Sequence, residues 1–156
     1  MSLKEELEKE QVRHLDLSRY CVVESGTPVR ETIARMRAEQ GRAALIVRDG
    51  KLVGIFTERD VLRRVALVAE AMNGPIDAVM TDAPIAVAPD RSAAAALWLM
   101  DDHHFRNLPV VDDQGRIVGD MTYAAIIRYL AARYPVEVLN RPLRPEQYAD
   151  EAEGGD

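Results

Sequence analysis

The segment Met36 to Val65, MRAEQGRAALIVRDGKLVGIFTERDVLRRV, returns as Met100 to Leu130, MDDHHFRNLPVVDDQGRIVGDMTYAAIIRYL. Met36 aligns with Met100, Arg42 with Arg106 and Val47 with Val111, all at an offset of 64. One extra residue in the second turn moves the offset to 65, so that Gly50, Val53, Gly54 and Thr57 meet Gly115, Val118, Gly119 and Thr122. Upstream, VVESGTPVRETIARM matches AVAPDRSAAAALWLM in pattern. A chain built this way is expected to fold as two copies of one supersecondary unit.

Each copy reads the same way. A short apolar strand opens it, CVV at Cys21 to Val23 and IAV at Ile85 to Val87. A helix follows, over residues 28–39 and 92–103, with Pro28 suited to a first helical turn because its missing N–H costs nothing there. Next comes a β-hairpin: AALIV and LVGIF flank Asp49-Gly50, and LPVV and IVGDM flank DDQG. A second helix closes the unit. Val61, Val65, Val68 and Met72 are spaced as one apolar helical face, and Ile126, Ile127 and Leu130 serve the second copy. One copy of about 60 residues buries little surface alone, so the two are expected to share a core. The expected fold is therefore α/β (α+β): two β-α-β-β-α repeats packed through their sheets with pseudo-twofold symmetry and two related clefts. The divisions are 1–16 as a charged helical extension, 17–72 as the first copy, 73–77 as a linker and 78–134 as the second copy. Residues 135–156 form a proline-containing acidic tail whose prolines rule out a long helix and whose ending, DEAEGGD (Asp150 to Asp156), is expected to be disordered.

Composition excludes several classes of function. A net charge of −6 and a pI near 5.1 argue against a general nucleic-acid binder, which needs a basic surface. Cys21 is the sole cysteine, so no intrachain disulfide forms, which fits a reducing compartment. The charged N-terminus MSLKEELEKEQ has no apolar signal core, and no apolar run approaches the roughly 20 residues a membrane helix needs. The expected location is the cytoplasm. No G-x-S-x-G, Walker A or G-x-G-x-x-G motif is present.

The tandem β-α-β-β-α pattern, with GIFTERD (Gly54 to Asp60) closing the first hairpin, resembles the CBS domain, and the pair resembles a Bateman module. RNLPVVDDQGRIVG is similar to the second hairpin of that family, and YPVEVLNRPLRP to the ending of small stand-alone bacterial CBS-pair proteins. The resemblance covers roughly residues 17–134. It implies a regulatory module and not a catalyst, binding an adenosine-containing ligand (AMP, ADP, ATP, NAD or S-adenosylmethionine) in an interdomain cleft. It also implies a homodimer in a four-copy disc and an unidentified protein effector. By position, Asp60 would hold the ribose hydroxyls and Thr57 would lie near the phosphates. Arg42 or Arg106 would neutralise phosphate charge, with His104 nearby.

The residue chemistry suits those roles. A carboxylate accepts two hydrogen bonds, matching vicinal ribose hydroxyls. A threonine opening a helix sits among unpaired N–H groups that favour an anion, and arginine adds a bidentate phosphate partner. Val22, Val23 and Ile46 would offer an apolar slot for adenine. Arg59, inside the motif, is the one of its arginine neighbours expected to lean inward, while Arg63 and Arg64 read as a solvated face. The residues alone leave a second reading open, because Thr57-x-x-Asp60 before an apolar helix is also a capping-box pattern. The second copy keeps Thr122 as a cap and has Ala125 in place of the aspartate, so one nucleotide site per chain is expected. A non-sensing scaffold and, at lower rank, a nucleotide-processing enzyme are the rival functions. His103-His104 is a poor metal pair because adjacent helical residues diverge by about 100°. Trp98, Met36 and Met100 are expected in a core or dimer interface, and Cys21 is expected to be inert.

Overall fold

A computed structural model describes residues 2–133. The N-terminal helix α1 (Leu3–Lys9) opens with a capping box between Ser2 and Glu5, and a 3₁₀ turn follows at Val12–His14. The first repeat contains β1 (Cys21–Glu24), α2 (Val29–Ala38), β2 (Ala43–Arg48), β3 (Lys51–Thr57) and the short helix α3 (Glu58–Asp60). Past two 3₁₀ turns, at Ala69–Asn73 and Ile76–Ala78, come the short strand β4 (Thr81–Asp82) and the second repeat. The latter contains α4 (Ala93–His103), β5 (Asn107–Val111), β6 (Ile117–Thr122) and α5 (Tyr123–Arg133). The proline-containing tail lies outside the described residues.

β1 pairs parallel with β2 across the α2 crossover, and β2 pairs antiparallel with β3 through the Asp49-Gly50 turn, both residues at positive φ. β4 adds to the free edge of β3, giving the order β1-β2-β3-β4. The second repeat keeps the β5-β6 hairpin, but the expected strand at Ile85–Val87 is reduced to one parallel bridge, Val87 to Val110. The helices start where the side chains dictate. Ser92 accepts the Ala95 N–H at 3.0 Å to cap α4, and Pro28 precedes α2.

The helix after GIFTERD departs from expectation. From Val61 to Val65 it widens into a π turn, with the Ala66 N–H bonded to the Val61 carbonyl at 2.8 Å, and it then ends. A π turn spends an extra residue per turn, which breaks the phase of the Val61–Met72 stripe. Val68 is consequently exposed, as are Leu62 and Leu67.

Strand alternation sorts each hairpin into two faces. Ala44, Ile46 and Phe56 join Val23, Val29 and Met36 in the core of the first repeat. Leu108, Val110 and Met121 join Met100, Ala125 and Ile126 in that of the second. The opposite face of the first sheet, Ala43, Leu45 and Ile55, is covered by Tyr20, Leu52 and Ile117, the last from the other repeat. A backbone bond from Leu52 N–H to Gly115 O, 3.0 Å, stitches the two hairpins together.

The segment before each repeat packs on the other repeat. The Val12 N–H bonds to Arg91 O at 2.8 Å and the Ala93 N–H to Glu10 O at 2.7 Å. Sixty-four residues later, Ile76 N–H bonds to Thr27 O at 2.7 Å and Val29 N–H to Gly74 O at 2.9 Å. Leu7, Val12, Leu15 and Leu17 are thereby buried in the second repeat's core, whereas Ile76, Val79 and Met80 belong to the first. Gly54 and Gly119 make room for this exchange, since a Cβ would collide with Met80 at one and Leu17 at the other.

Candidate functional site

β3 ends at Thr57 opposite Ala43, and Thr57 takes an extended conformation from which the helix starts. Asp60, buried at 8% exposure, turns back towards the strand end. Its Oδ2 accepts the Thr57 backbone N–H at 2.9 Å and the Thr57 hydroxyl at 3.2 Å. Its Oδ1 faces Arg64 Nε at 3.7 Å. Arg64 Nη1 also donates to the carbonyls of Val79 and Met80, each at 3.0 Å. The motif carboxylate is thus joined, through one guanidinium, to the connector entering the second repeat. Arg64 is therefore not merely the solvated residue expected from sequence.

Arg42 lies beside this group, its carbonyl accepting the Glu58 N–H at 3.2 Å and its side chain exposed. Arg59 is exposed at the helix start. Alternation separates the expected adenine slot. Val23 and Ile46 are sealed in the helix-side core at 1% and 0% exposure, because they pair side by side on the same face. Val22 alone points the other way and is half-buried. The structure therefore gathers Thr57, Asp60 and Arg42 and removes Val23 and Ile46.

Arg106, His104 and Thr122 belong to the equivalent end of the second hairpin. Thr122 pairs with Asn107, and its hydroxyl accepts the Ala125 N–H at 3.1 Å, a plain N-cap. Arg106 is exposed just ahead of β5. His104 ends α4 in the left-handed conformation and is also exposed. Ala125, where the first repeat has Asp60, is 1% exposed within the apolar core. A concavity of about 450 Å³ lies elsewhere, lined in part by Arg13, Val87, Pro89, Asp90, Val111 and Asp112, and contains none of the expected ligand residues.

Other residues are placed as follows. Burial pushes the Cys21 thiol up to about 11, which keeps it protonated and unreactive at neutral pH. Met36 and Met100 are core residues, while Trp98 is 61% exposed and lies outside the core. Among the described residues there is no group of three metal-ligating side chains, and no helix is long and apolar enough to cross a membrane. Two residues that sequence reasoning missed are Asn107 and Asp120. Asn107 Nδ2 donates to Asp120 Oδ2 at 2.6 Å, and Asp120 is fully buried. The signal was available: an aspartate sits inside the apolar run IVGDM where the first copy has Ile55.

The geometry has a counterpart in known proteins. The family model for the CBS domain matches residues 12–67 and 76–132. The chain belongs to the CBS-domain family and carries two such domains in tandem. It is 35% identical over 120 residues to an uncharacterised protein of Methanocaldococcus jannaschii, an alignment covering 76% of this chain. The chain spans only 28% of that relative's length. The CBS domain pair of protein MJ0100, solved with 5′-methylthioadenosine and S-adenosyl-L-methionine, is 26% identical with a TM-score of 0.69, covering 79% of this chain and 97% of that one. The structure of CBSX2 in complex with AMP shares the fold at 23% identity and a TM-score of 0.70, covering 80% and 98%.

Proposed function

We propose that this CBS pair is a regulatory protein that binds one adenosine-containing ligand per chain at the Thr57–Asp60 strand end. The observation that carries the reading is the asymmetry between the two motifs. Asp60 is a carboxylate with one oxygen that makes no hydrogen bond among the described residues, next to Thr57 and Arg42, whereas the second copy has a buried alanine at that position. The adenosine-containing ligands of the MJ0100 pair support the ligand class. Asp60 Oδ1 would accept the ribose hydroxyls, Arg42 would meet the phosphate charge, and Val22 would border the base. Ligand binding signals only if one conformation is preferred. Arg64 supplies such a path, because a ligand that draws on Asp60 Oδ1 competes with the guanidinium anchoring Val79 and Met80. The chain acts on a protein effector and not as an enzyme, in a reducing cytoplasm. It works as a homodimer that covers the exposed Leu62, Trp98 and Ile127.

Scanning fluorimetry with AMP, ATP, NAD and S-adenosylmethionine tests this, since a ligand of the native state raises the melting temperature by mass action. The expected result is a shift with at least one of them that Asp60→Ala removes. One observation favours a scaffold instead: Oδ2 is fully engaged in capping, so the motif also makes sense as structure alone. No shift with any ligand would select the scaffold.

A further inference from the structure

The sheet face between the repeats contains a carboxyl group that no binding role accounts for. Asp120 lies on β6 opposite Pro109, at the position Ile55 holds in the first repeat, and none of its surface reaches solvent. Its backbone N–H is tied to Leu17 O at 3.0 Å, so the strand holds the residue in place. Oδ2 receives the Asn107 amide, and Oδ1 has no hydrogen-bond partner among the described residues. Tyr20, which packs on the Ala43–Leu45–Ile55 face, is the titratable group that registers this carboxylate, and its phenol is raised by burial and by the Asp120 charge. Among the described residues no lysine, arginine or second carboxylate acts on Asp120; burial raises it and the Asn107 bond opposes the rise. An ionised carboxylate with one hydrogen bond and no cation is a costly occupant of a sheet-to-sheet contact.

We propose that Asp120 is a proton-operated joint between the two repeats: protonated, it lets the sheet faces close over it, and ionised, it loosens the contact and admits water. The proposal does not depend on the nucleotide reading, because the joint is defined without Asp60. The sign follows from linkage. Burial lifts the folded-state carboxyl from 3.8 to about 7, so the folded chain holds a proton that the unfolded chain has lost. Stability from this group is full below the unfolded value and declines as pH rises through the folded one. The device thus works across the neutral range, where small changes in acidity alter its charge.

Thermal melts of wild type and Asp120→Asn between about pH 5 and pH 8 test the linkage. The wild type is expected to lose stability relative to the variant as pH rises, with the difference inflecting near neutrality; parallel profiles would overturn the proposal. Carbon-13 NMR of the Asp120 carboxyl in the wild-type chain gives a reading that does not require the variant to fold. A midpoint below about 5, near the free carboxylate, would equally overturn it. Amide exchange, corrected for its intrinsic pH dependence, is expected to rise in residues 43–57 and 107–122 of the wild type above neutrality. A titrating carboxyl with unchanged exchange would rule out the joint.

Discussion

The two repeats place an aspartate at different points of the same hairpin frame. The first has an apolar sheet face, Ala43 and Ile55, and keeps its carboxylate at the strand end, where Asp60 caps and faces Arg64. The second has an apolar strand end at Ala125 and moves polarity into the sheet face, where Asn107 and Asp120 sit. One backbone plan thus gives two carboxylates different surroundings. A carboxylate at a helix start keeps N–H donors and a cation within reach, as Asp60 does with Thr57 and Arg64. The buried carboxylate of Asp120 has one amide donor, from Asn107, and no cation among the described residues.

Substitutions at matched positions test how far the two repeats differ. The largest effect is expected at the matched glycines. Gly119→Ala should cost about 2–3 kcal/mol in chemical denaturation, because the new methyl meets Leu17 Cβ and backbone, which are fixed by the Asp120 bond. Gly54→Ala should cost clearly less, since what it meets is the pliable end of the Met80 side chain. Equal losses would mean that the two exchanged segments are held alike.

Moving the first repeat's pair into the second comes next. Asn107→Ala combined with Asp120→Ile should raise stability by about 2 kcal/mol at pH 8, with the gain shrinking at acid pH. A loss at pH 8 in urea melts would show that the polar pair is better satisfied than its geometry indicates. Asp60→Ala follows, costing about 1 kcal/mol for the cap while abolishing any ligand-induced rise in melting temperature. A ligand shift that survives this change would relocate the site. The smallest effect belongs to Thr122→Ala, about 0.5–1 kcal/mol from the lost Ala125 bond, with the ligand response intact.

Much of this was legible in the residues. The offset of 64 then 65 implies two equal units, the Asp49-Gly50 turn marks a hairpin, and Thr57 and Thr122 mark helix starts. These features are local, set by turn chemistry, capping and alternation over a few residues. The failures share a cause. The Val61–Met72 stripe matches a long helix, yet a π turn ends it where Arg64 reaches the Val79 and Met80 carbonyls. Val23 and Ile46 are apolar like any adenine slot, and only the side on which α2 packs turns them inward.

The repeat, the hairpins, the capped helix starts and the unequal motifs follow from near-neighbour residue preferences alone. The tertiary structure decided which segment covers which repeat. It also decided that Arg64 links Asp60 to the connector and that Asp120 is buried beside Asn107 and Leu17. Each depends on pairing residues far apart in the chain, such as Val12 with Arg91 or Tyr20 with the Ala43–Ile55 face, and local preference carries no record of such partners.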